Sequence, residues 1–200
     1  QKRMFAKPSE ETKAVYLNAE ELNSIYNLNL SKNTTLDNVR DWFLIGAYTG
    51  LRFSDLGKLT KDNLTKSTIE ITTQKTDTSV SIPMHPIVSN ILNKHNNSLP
   101  RLMSNAKFNM YIKEVAELAK INEPILIEQT KGNLKTKQTV SKHTLISAHT
   151  ARRSFATNAF IAGVPPIQIM KLTGHKTEAS FMKYIKISNE ENAKQLQMHS

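Results

Sequence analysis

The stretch of residues 149–184 constrains the fold more than any other part of the chain, because its glycines and prolines divide it into short helices. Gly163 and the Pro165-Pro166 pair end one helix, since glycine tolerates a left-handed C-terminal turn and proline opens a helix but cannot continue one. Gly174 then closes the helix that Pro166 opens. We therefore predict a tight loop at His175 that faces back toward the first of these helices.

The same stretch carries side chains that suit an anion. His149 and Arg152 are three residues apart, and on a helix this spacing puts an imidazole and a guanidinium on one face. Tyr184 falls in the last turn of a helix that Thr177 can cap. A single tyrosine near a helix end is most often a half-buried core residue, and a single His-x-x-Arg pair is a weaker signal still. The ordered set, rather than any one member, therefore indicates a function.

The charge of the chain points to an acidic partner. Its 27 lysines and arginines against 17 aspartates and glutamates give a net charge of +10. Such a surplus is typical of proteins that bind nucleic acid, although a basic protein without that role remains the alternative. The absence of cysteine excludes disulfides and thiol catalysis and favours an intracellular protein.

Metal and membrane sites are not predicted. His143, His149 and His175 are candidate zinc ligands, but the sequence has no cysteine, no His-Glu-x-x-His motif and no other close ligand pair. No run approaches roughly eighteen apolar residues, and no signal-like apolar segment opens the sequence. We therefore expect a soluble protein without a metal, another cofactor or a membrane partner.

Upstream of residue 149 the patterns alternate between helices and hairpins. The most regular apolar period, from Thr35 to Tyr48, predicts the most buried helix, which ends at Thr49-Gly50. Three other helices are predicted, from an Asn18-Glu21 capping box to about Leu30, from Pro86 to about His95, and from Ser104 to Lys120. Alternating β-branched residues predict a hairpin of residues 68–73 and 79–82, and a second, basic hairpin of residues 125–129 and 137–141.

Arg52 lies between the Gly50 turn and a short helix for which Ser54 is a plausible N-cap. Apolar neighbours anchor the backbone there, and an arginine that is partly buried needs an anionic partner. That partner is either Asp55, in a structural ion pair, or a bound phosphate that Asp55 helps Arg52 to hold. Lys75 falls at or beside the turn of the first hairpin, where a solvated side chain is the ordinary alternative.

The second hairpin clusters basic residues. Such a cluster is usually a solvated face, but in a chain of this charge a contact to a phosphate backbone is nearly as plausible. The residues that we expect to contact a DNA backbone are Lys131, Lys135, Lys137, Lys142 and Arg153.

Five motifs in order and in register resemble the catalytic domain of the tyrosine recombinase (phage integrase) family. They are Thr49-Gly-Leu-Arg-Phe-Ser-Asp-Leu, the Lys75 of Gln-Lys-Thr, His149-Thr-Ala-Arg-Arg-Ser-Phe-Ala-Thr, Leu-Thr-Gly-His175 and Tyr184. The resemblance runs from roughly Tyr16 to Lys186. The chain departs from the family at Asp55, where glutamate is common, at Arg153, where a second histidine is frequent, and at Ile185-Lys186, where Tyr-x-His is common.

The resemblance implies an α+β fold, mainly α-helical with small antiparallel β-hairpins, and a metal-free and ATP-free reaction. Tyr184 would attack a DNA phosphodiester and form a 3′-phosphotyrosine. The other roles implied are Arg52 and Arg152 on the non-bridging oxygens, His175 as a further donor to the same phosphate, His149 as general base, Lys75 as general acid and Asp55 as support.

The resemblance also implies a domain plan and partners. Residues 1–15 would be a linker remnant from an N-terminal DNA-binding domain, and residues 16–187 the catalytic domain. Residues 188–200 would be a tail helix that either exchanges between protomers or packs on its own chain. We expect double-stranded DNA as partner, a homo-tetramer on DNA with a monomer alone, and a cytoplasmic, nucleoid-associated protein.

Two other functions compete with a recombinase or integrase of a phage or mobile element. A type IB topoisomerase uses a similar Arg, Lys, Arg, His and Tyr set, but the Gly-Leu-Arg and Leu-Thr-Gly-His wording is closer to integrases. A DNA-binding module without catalysis is the second alternative, and the filled catalytic positions oppose it.

Overall fold

The computed structural model describes residues 14–74, 77–131 and 134–187, with the backbone alone for residues 129–131, 134 and 135. The helices in these ranges are α1 (Ala19–Tyr26), α2 (Thr34–Thr49), α3 (Phe53–Leu56), α4 (Pro86–Lys94), α5 (Asn105–Leu118), α6 (Ala148–Ile161), α7 (Pro166–Thr173) and α8 (Glu178–Tyr184). Short 3-10 turns span Lys61–Asn63 and Lys142–Leu145. The strands are β1 (Thr68–Thr73), β2 (Thr78–Pro83), β3 (Pro124–Lys131) and β4 (Leu134–Ser141). The predicted mainly helical α+β architecture is confirmed.

Helix α2 forms the centre of the main core and packs against α1, α4, α5 and α6. Its apolar period buries Val39, Trp42, Phe43 and Ile45 to 3 % exposure or less. Each such side chain contributes roughly 1.5–3 kcal/mol when fully buried. The indole Nε1 of Trp42 donates to the Pro100 carbonyl at 2.9 Å, so this polar atom is also satisfied inside the core.

Helix α1 begins where the sequence predicts but ends earlier. The Asn18-Glu21 capping box forms with both reciprocal bonds at 2.9 Å. The helix ends at Tyr26 rather than near Leu30, with Asn27 as its C-cap. The Leu28 carbonyl then accepts a bond from Arg40 at 2.6 Å, and Leu30 is buried in the core at 8 % exposure. Tertiary contacts therefore end the helix before its sequence pattern does.

Both hairpins form as separate two-stranded antiparallel sheets, and the second is longer than predicted. In the first, Ile69 pairs with Ile82 and Ile71 with Val80, and these four side chains are buried on one face. The second extends from the Pro124–Ser141 pair to the Lys131–Leu134 pair. The first hairpin is therefore anchored in the core by these side chains.

A smaller apolar cluster joins α6, α7 and α8. Its buried members are Ala156, Ile169, Met170, Phe181 and Ile185. Helix α6 thus packs one part of its surface on α2 and another on the last two helices. This double packing brings the start of α6, the end of α7 and the end of α8 together.

The chain just before α1 is fastened to α6. The Leu17 backbone N–H donates to the Ser154 hydroxyl at 2.8 Å, and the Asn158 side-chain amide donates to the Leu17 carbonyl at 3.0 Å. Leu17 is fully buried. The segment entering α1 is therefore part of the same packed unit as the helix that carries His149 and Arg152.

Candidate active site

Arg52 is fixed at the start of α3 by the turn that precedes it. Gly50 ends α2 in the left-handed conformation, with φ 68°. Arg52 itself is the N-cap of α3, two residues before the predicted Ser54. The Arg52 guanidinium donates to the Thr173 carbonyl at 3.4 Å, and its side chain is 19 % exposed. The guanidinium is thus held at the end of α7 while one side stays open to solvent.

Asp55 connects this arginine to the first hairpin. Its carboxylate is fully buried, with one oxygen 3.9 Å from the Arg52 guanidinium and without a hydrogen bond there. The other oxygen accepts the Gln74 backbone N–H at 3.0 Å. Asp55 therefore holds the residue next to Lys75, and Lys75 itself lies outside the described residues.

Arg152 is buried at the junction of α6 and the Gly50 turn. Its exposure is 4 %, and its guanidinium donates to the Gly50 carbonyl. Burial, followed by the nearby Arg52, lowers the pKa of Arg152 to about 10, while Tyr184 and Asp55 oppose this change. The guanidinium therefore stays cationic at neutral pH and lies beside a second cation, Arg52. The nearest carboxylate among the described residues, that of Asp55, is 3.9 Å from Arg52, too far for a hydrogen bond. Such a pair of arginines is an anion site.

His175 follows the left-handed turn at Gly174, as predicted. Its Nδ1 lies 2.8 Å from the Thr173 hydroxyl, and its ring centroid lies 4.8 Å from that of Tyr184. Burial, then Arg152 and Arg52, lowers the pKa of His175 to about 4. The imidazole is consequently neutral at pH 7 when the site holds no anion.

Tyr184 ends α8 with its ring between His175 and Arg153. The Arg153 guanidinium lies over the ring at 4.9 Å, a cation–π contact, and also donates to the Val15 carbonyl at 3.2 Å. The Tyr184 hydroxyl donates to the backbone carbonyl of His149 over 3.5 Å. Burial raises the pKa of Tyr184 although Arg152, Arg153 and Arg52 act in the opposite direction. The phenol is therefore protonated at neutral pH and needs a proton acceptor before it can react.

These side chains share a cleft of about 400 Å³. It is lined by Arg52, His149, Arg152, Gly174, His175, Lys176, Ser180 and Tyr184. Five of the six predicted catalytic residues thus lie together although they come from three separate parts of the chain. Lys176 and Ser180 were not predicted. Their only sequence signals are that Lys176 follows His175 and that Ser180 lies in the first turn of the helix that Thr177 caps.

The predicted contacts to a DNA backbone have different outcomes. Lys142 does not lie on an exposed surface as predicted. Its ammonium lies 2.6 Å from Glu21 and 3.2 Å from Glu123, and the side chain is 10 % exposed. The chain turns into a 3-10 helix at Lys142, so the side chain points into the domain and links α1 to the second hairpin. Lys137 is 67 % exposed and pairs with Glu128 across the strands at 3.2 Å.

Arg153 and the hairpin tip complete this group. Arg153 is partly buried against the Tyr184 ring. Its role as a DNA contact stays a prediction. The side chains of Lys131 and Lys135 lie outside the described residues.

Across the described ranges, no group of three or more His, Cys, Asp or Glu side chains is arranged to hold a metal ion. Within the same part of the chain, every helix is too short or too polar to cross a bilayer.

Comparison with known protein families decides the membership of the chain. Residues 15–191 match the phage integrase family. The chain belongs to that family. The match covers most of the sequence and includes the Arg52 turn, helix α6 and the His175–Tyr184 segment, so the predicted resemblance is confirmed. No curated protein matches the chain in sequence.

Solved structures share the fold of this integrase-family domain. XerA recombinase has a TM-score of 0.68 at 17% identity, over 98% of this chain and 66% of its own. XerH recombinase bound to its palindromic difH substrate, after cleavage, has a TM-score of 0.63 at 19% identity, over 90% and 51%. A lambda integrase dimer bound to a COC′ core site has a TM-score of 0.60 at 14% identity, over 88% and 60%. The chain thus spans about half to two thirds of the length of these proteins.

Proposed function

We propose that this domain cleaves and rejoins DNA strands in site-specific recombination, through a 3′-phosphotyrosine intermediate on Tyr184. One observation carries the proposal: the Tyr184 hydroxyl shares a cleft with Arg52 and Arg152, and in the described residues neither guanidinium is hydrogen-bonded to a carboxylate. Such a cleft attracts a phosphodiester and places a nucleophile beside it. Membership of the phage integrase family supports the same reading.

The covalent step exchanges one phosphodiester for another. The Tyr184 oxygen attacks phosphorus, a P–O bond to tyrosine forms, and the bond to the 5′ oxygen breaks. Arg52 and Arg152 bind the non-bridging oxygens, where negative charge increases in the transition state. Because the new ester keeps the energy of the old one, the reverse attack by a 5′ hydroxyl rejoins the strand without ATP.

Two protons move in this step. The Tyr184 proton must leave, because burial keeps the phenol protonated. His149 lines the same cleft and is our candidate acceptor. The departing 5′ oxygen needs a proton in turn, and Lys75 is the candidate donor. Asp55 supports this assignment, because it holds the backbone of Gln74 next to Lys75.

The partners and setting are part of the proposal. We infer double-stranded DNA as substrate from the net charge of +10 and from the cleft. XerH and lambda integrase are seen on their DNA sites, the latter as a dimer. We further propose a tetramer on DNA, an origin in a phage or mobile element, a nucleoid-associated location in the cytoplasm, and an additional DNA-binding domain outside these residues.

A nicked suicide substrate tests the proposal. After cleavage such a DNA releases a short fragment that carries the free 5′ hydroxyl, so rejoining is prevented and a covalent protein–DNA adduct accumulates, which is seen on a denaturing gel. We expect an adduct with the wild-type protein, and roughly 10²–10³-fold slower formation with Arg52→Ala or Arg152→Ala. Lys32→Ala, in the exposed loop before α2 and at the opposite end of that helix from the Gly50 turn, is the matched loss of one positive charge and should leave the rate within a few-fold. Equal rates for all four proteins would refute the role of the arginine pair.

A further inference from the structure

Thr173 makes two short contacts through one hydroxyl. It is the last residue of α7 and is fully buried. Its Oγ1 lies 2.7 Å from the Ile169 carbonyl oxygen and 2.8 Å from Nδ1 of His175. Both distances are those of normal hydrogen bonds. A hydroxyl has a single proton to donate, so these contacts together decide where the protons lie.

The proton arrangement follows from the carbonyl, which can only accept. If the hydroxyl donated to Nδ1, two oxygen atoms would face each other at 2.7 Å with no proton between them. The consistent arrangement has the hydroxyl donating to Ile169 and Nδ1–H of His175 donating to the hydroxyl. In the neutral ring, only one nitrogen carries a proton. Nε2 of His175 is therefore bare.

We propose that Thr173 is a positioning residue that fixes neutral His175 in the Nδ1–H tautomer, so that the ring takes up a proton from solvent at Nε2 when a phosphate enters the cleft. The inference rests on the proposed function, because it defines the state in which His175 meets the scissile phosphate. It also changes the expected role of His175. The ring can donate to a phosphate oxygen only after it has become an imidazolium.

The surroundings of His175 favour this coupling. The charged or titratable groups around it come from four elements: Arg52 at the start of α3, His149, Arg152 and Arg153 on α6, Lys176 in the loop, and Tyr184 on α8. Without an anion the two nearest arginines oppose a further positive charge, in line with the lowered pKa of the ring. A phosphodiester between the arginines offsets their charge, and its oxygen gains a charge-assisted hydrogen bond from protonated Nε2.

Nitrogen-15 NMR of histidine-labelled protein reads the tautomer directly, because protonated and bare ring nitrogens resonate far apart. We expect wild-type His175 at pH 7 to show a protonated Nδ1 and a bare Nε2. Thr173→Ser keeps the hydroxyl and should keep this state, whereas Thr173→Val should give a mixture of tautomers. Thr49→Val is the matched control, because Thr49 is also buried and bonds a carbonyl of its own helix at 2.7 Å, without a histidine contact.

Sulfate is the probe for proton uptake, because it stays fully ionised in this pH range. Saturating sulfate should protonate Nε2 of His175 in the wild-type protein, so that one proton is taken up per protein. A wild-type spectrum with Nε2 protonated in the free protein would overturn the proposal, and so would a ring that stays neutral in saturating sulfate. These measurements need no DNA and hold even if the protein never cleaves a strand.

The pH profile of cleavage separates positioning from simple structural support. In the wild-type protein the donor at Nε2 is lost as His175 deprotonates, whereas in Thr173→Val the neutral ring can adopt the Nε2–H form. The ratio of the wild-type rate to the Thr173→Val rate should therefore fall with rising pH, by up to about tenfold per pH unit. A ratio constant with pH would refute the coupling. Absence of an adduct with every protein, alongside the expected spectra, would instead refute the proposed function.

Discussion

Replacing Gly50 by alanine should both destabilise the fold and disturb the anion site. Gly50 has φ 68°, and a β-carbon added there would overlap the Phe155 ring. Its carbonyl also accepts a hydrogen bond from the Arg152 guanidinium. Any movement that relieves the contact with Phe155 therefore displaces the group that holds Arg152.

The magnitude can be worked out with Gly163 as a reference. Gly163 has φ 82° and nothing within 4 Å of an added β-carbon, so Gly163→Ala should cost only the left-handed strain of about 1–2 kcal/mol. Gly50→Ala has the same strain and adds overpacking against Phe155, typically about 1–3 kcal/mol. We expect roughly 2–5 kcal/mol for Gly50→Ala. The gain from a stiffer unfolded chain is common to both variants and cancels in their difference.

Urea unfolding of the two variants checks this, alone and combined with Phe155→Ala. The extra cost of Gly50→Ala should largely disappear in the Phe155→Ala background, because the truncated side chain no longer meets the new methyl group. Stabilisation by sulfate should be weaker in Gly50→Ala than in Gly163→Ala, since only the former disturbs Arg152. Equal costs for the two glycine variants, or a Gly50→Ala cost unchanged by Phe155→Ala, would show that the Phe155 ring does not crowd the added methyl group.

Three further predictions concern buried charges and proton transfer. Lys142→Met should lower the free energy of unfolding in urea by about 2–3 kcal/mol, since the ammonium pairs with Glu21 and Glu123. The salt dependence of DNA binding should not change. A changed salt dependence would show that Lys142 contacts DNA. Asp41→Asn should cost about 3–5 kcal/mol at pH 7, because the buried carboxylate bonds Lys94 and His95. Burial alone would raise the pKa of Asp41, but its partners outweigh burial and lower the pKa below the ordinary 3.8. The stability that these partners contribute is therefore present above pH 3.8 and is lost as the pH falls through the lowered pKa. An acid-unfolding midpoint unaffected by Asp41→Asn would contradict this. Lys75→Ala should slow cleavage about 10²–10⁴-fold on ordinary DNA but not on a substrate with sulfur at the 5′ bridging position, since a thiolate leaves without a proton; an unrescued variant would make Lys75 a backbone contact.

The sequence predicted those features of the fold that depend on neighbouring residues. The apolar period of α2, the Asn18 capping box and the two glycine stops at Gly50 and Gly174 were all readable, and all four stand in the structure. Each depends on residues within a few positions of one another. Sequence reasoning reaches such features because the hydrogen bonds and φ angles involved are determined within one turn.

The buried charges were not predicted, because their partners are distant in sequence. Asp41 lies on α2 among apolar residues and is fully buried against Lys94 and His95, more than fifty residues away. Lys142 belongs to a run of lysines that resembles a DNA-facing surface. Only the turn at the end of β4 shows that it bonds Glu21.

The candidate catalytic residues were predicted from motif order, and their protonation states were not. Arg52, His149, Arg152, His175 and Tyr184 share one cleft, as the resemblance implies. The sequence shows a threonine two positions before His175, but not that its hydroxyl is already committed to the Ile169 carbonyl. That single contact changes His175 from a ready donor into a ring that must first gain a proton.

Mapping the covalent adduct identifies the attacking residue. The protein is incubated with the suicide substrate, digested with protease and nuclease, and the nucleotide-bearing peptide is sequenced by mass spectrometry. We expect a nucleotide 3′-phosphate on Tyr184 alone. Tyr184→Phe should give no adduct, although it should bind the same DNA with nearly unchanged affinity. A nucleotide on Tyr48, Tyr111 or any other residue, or an adduct that persists in Tyr184→Phe, would contradict the assignment of Tyr184 as the attacking residue.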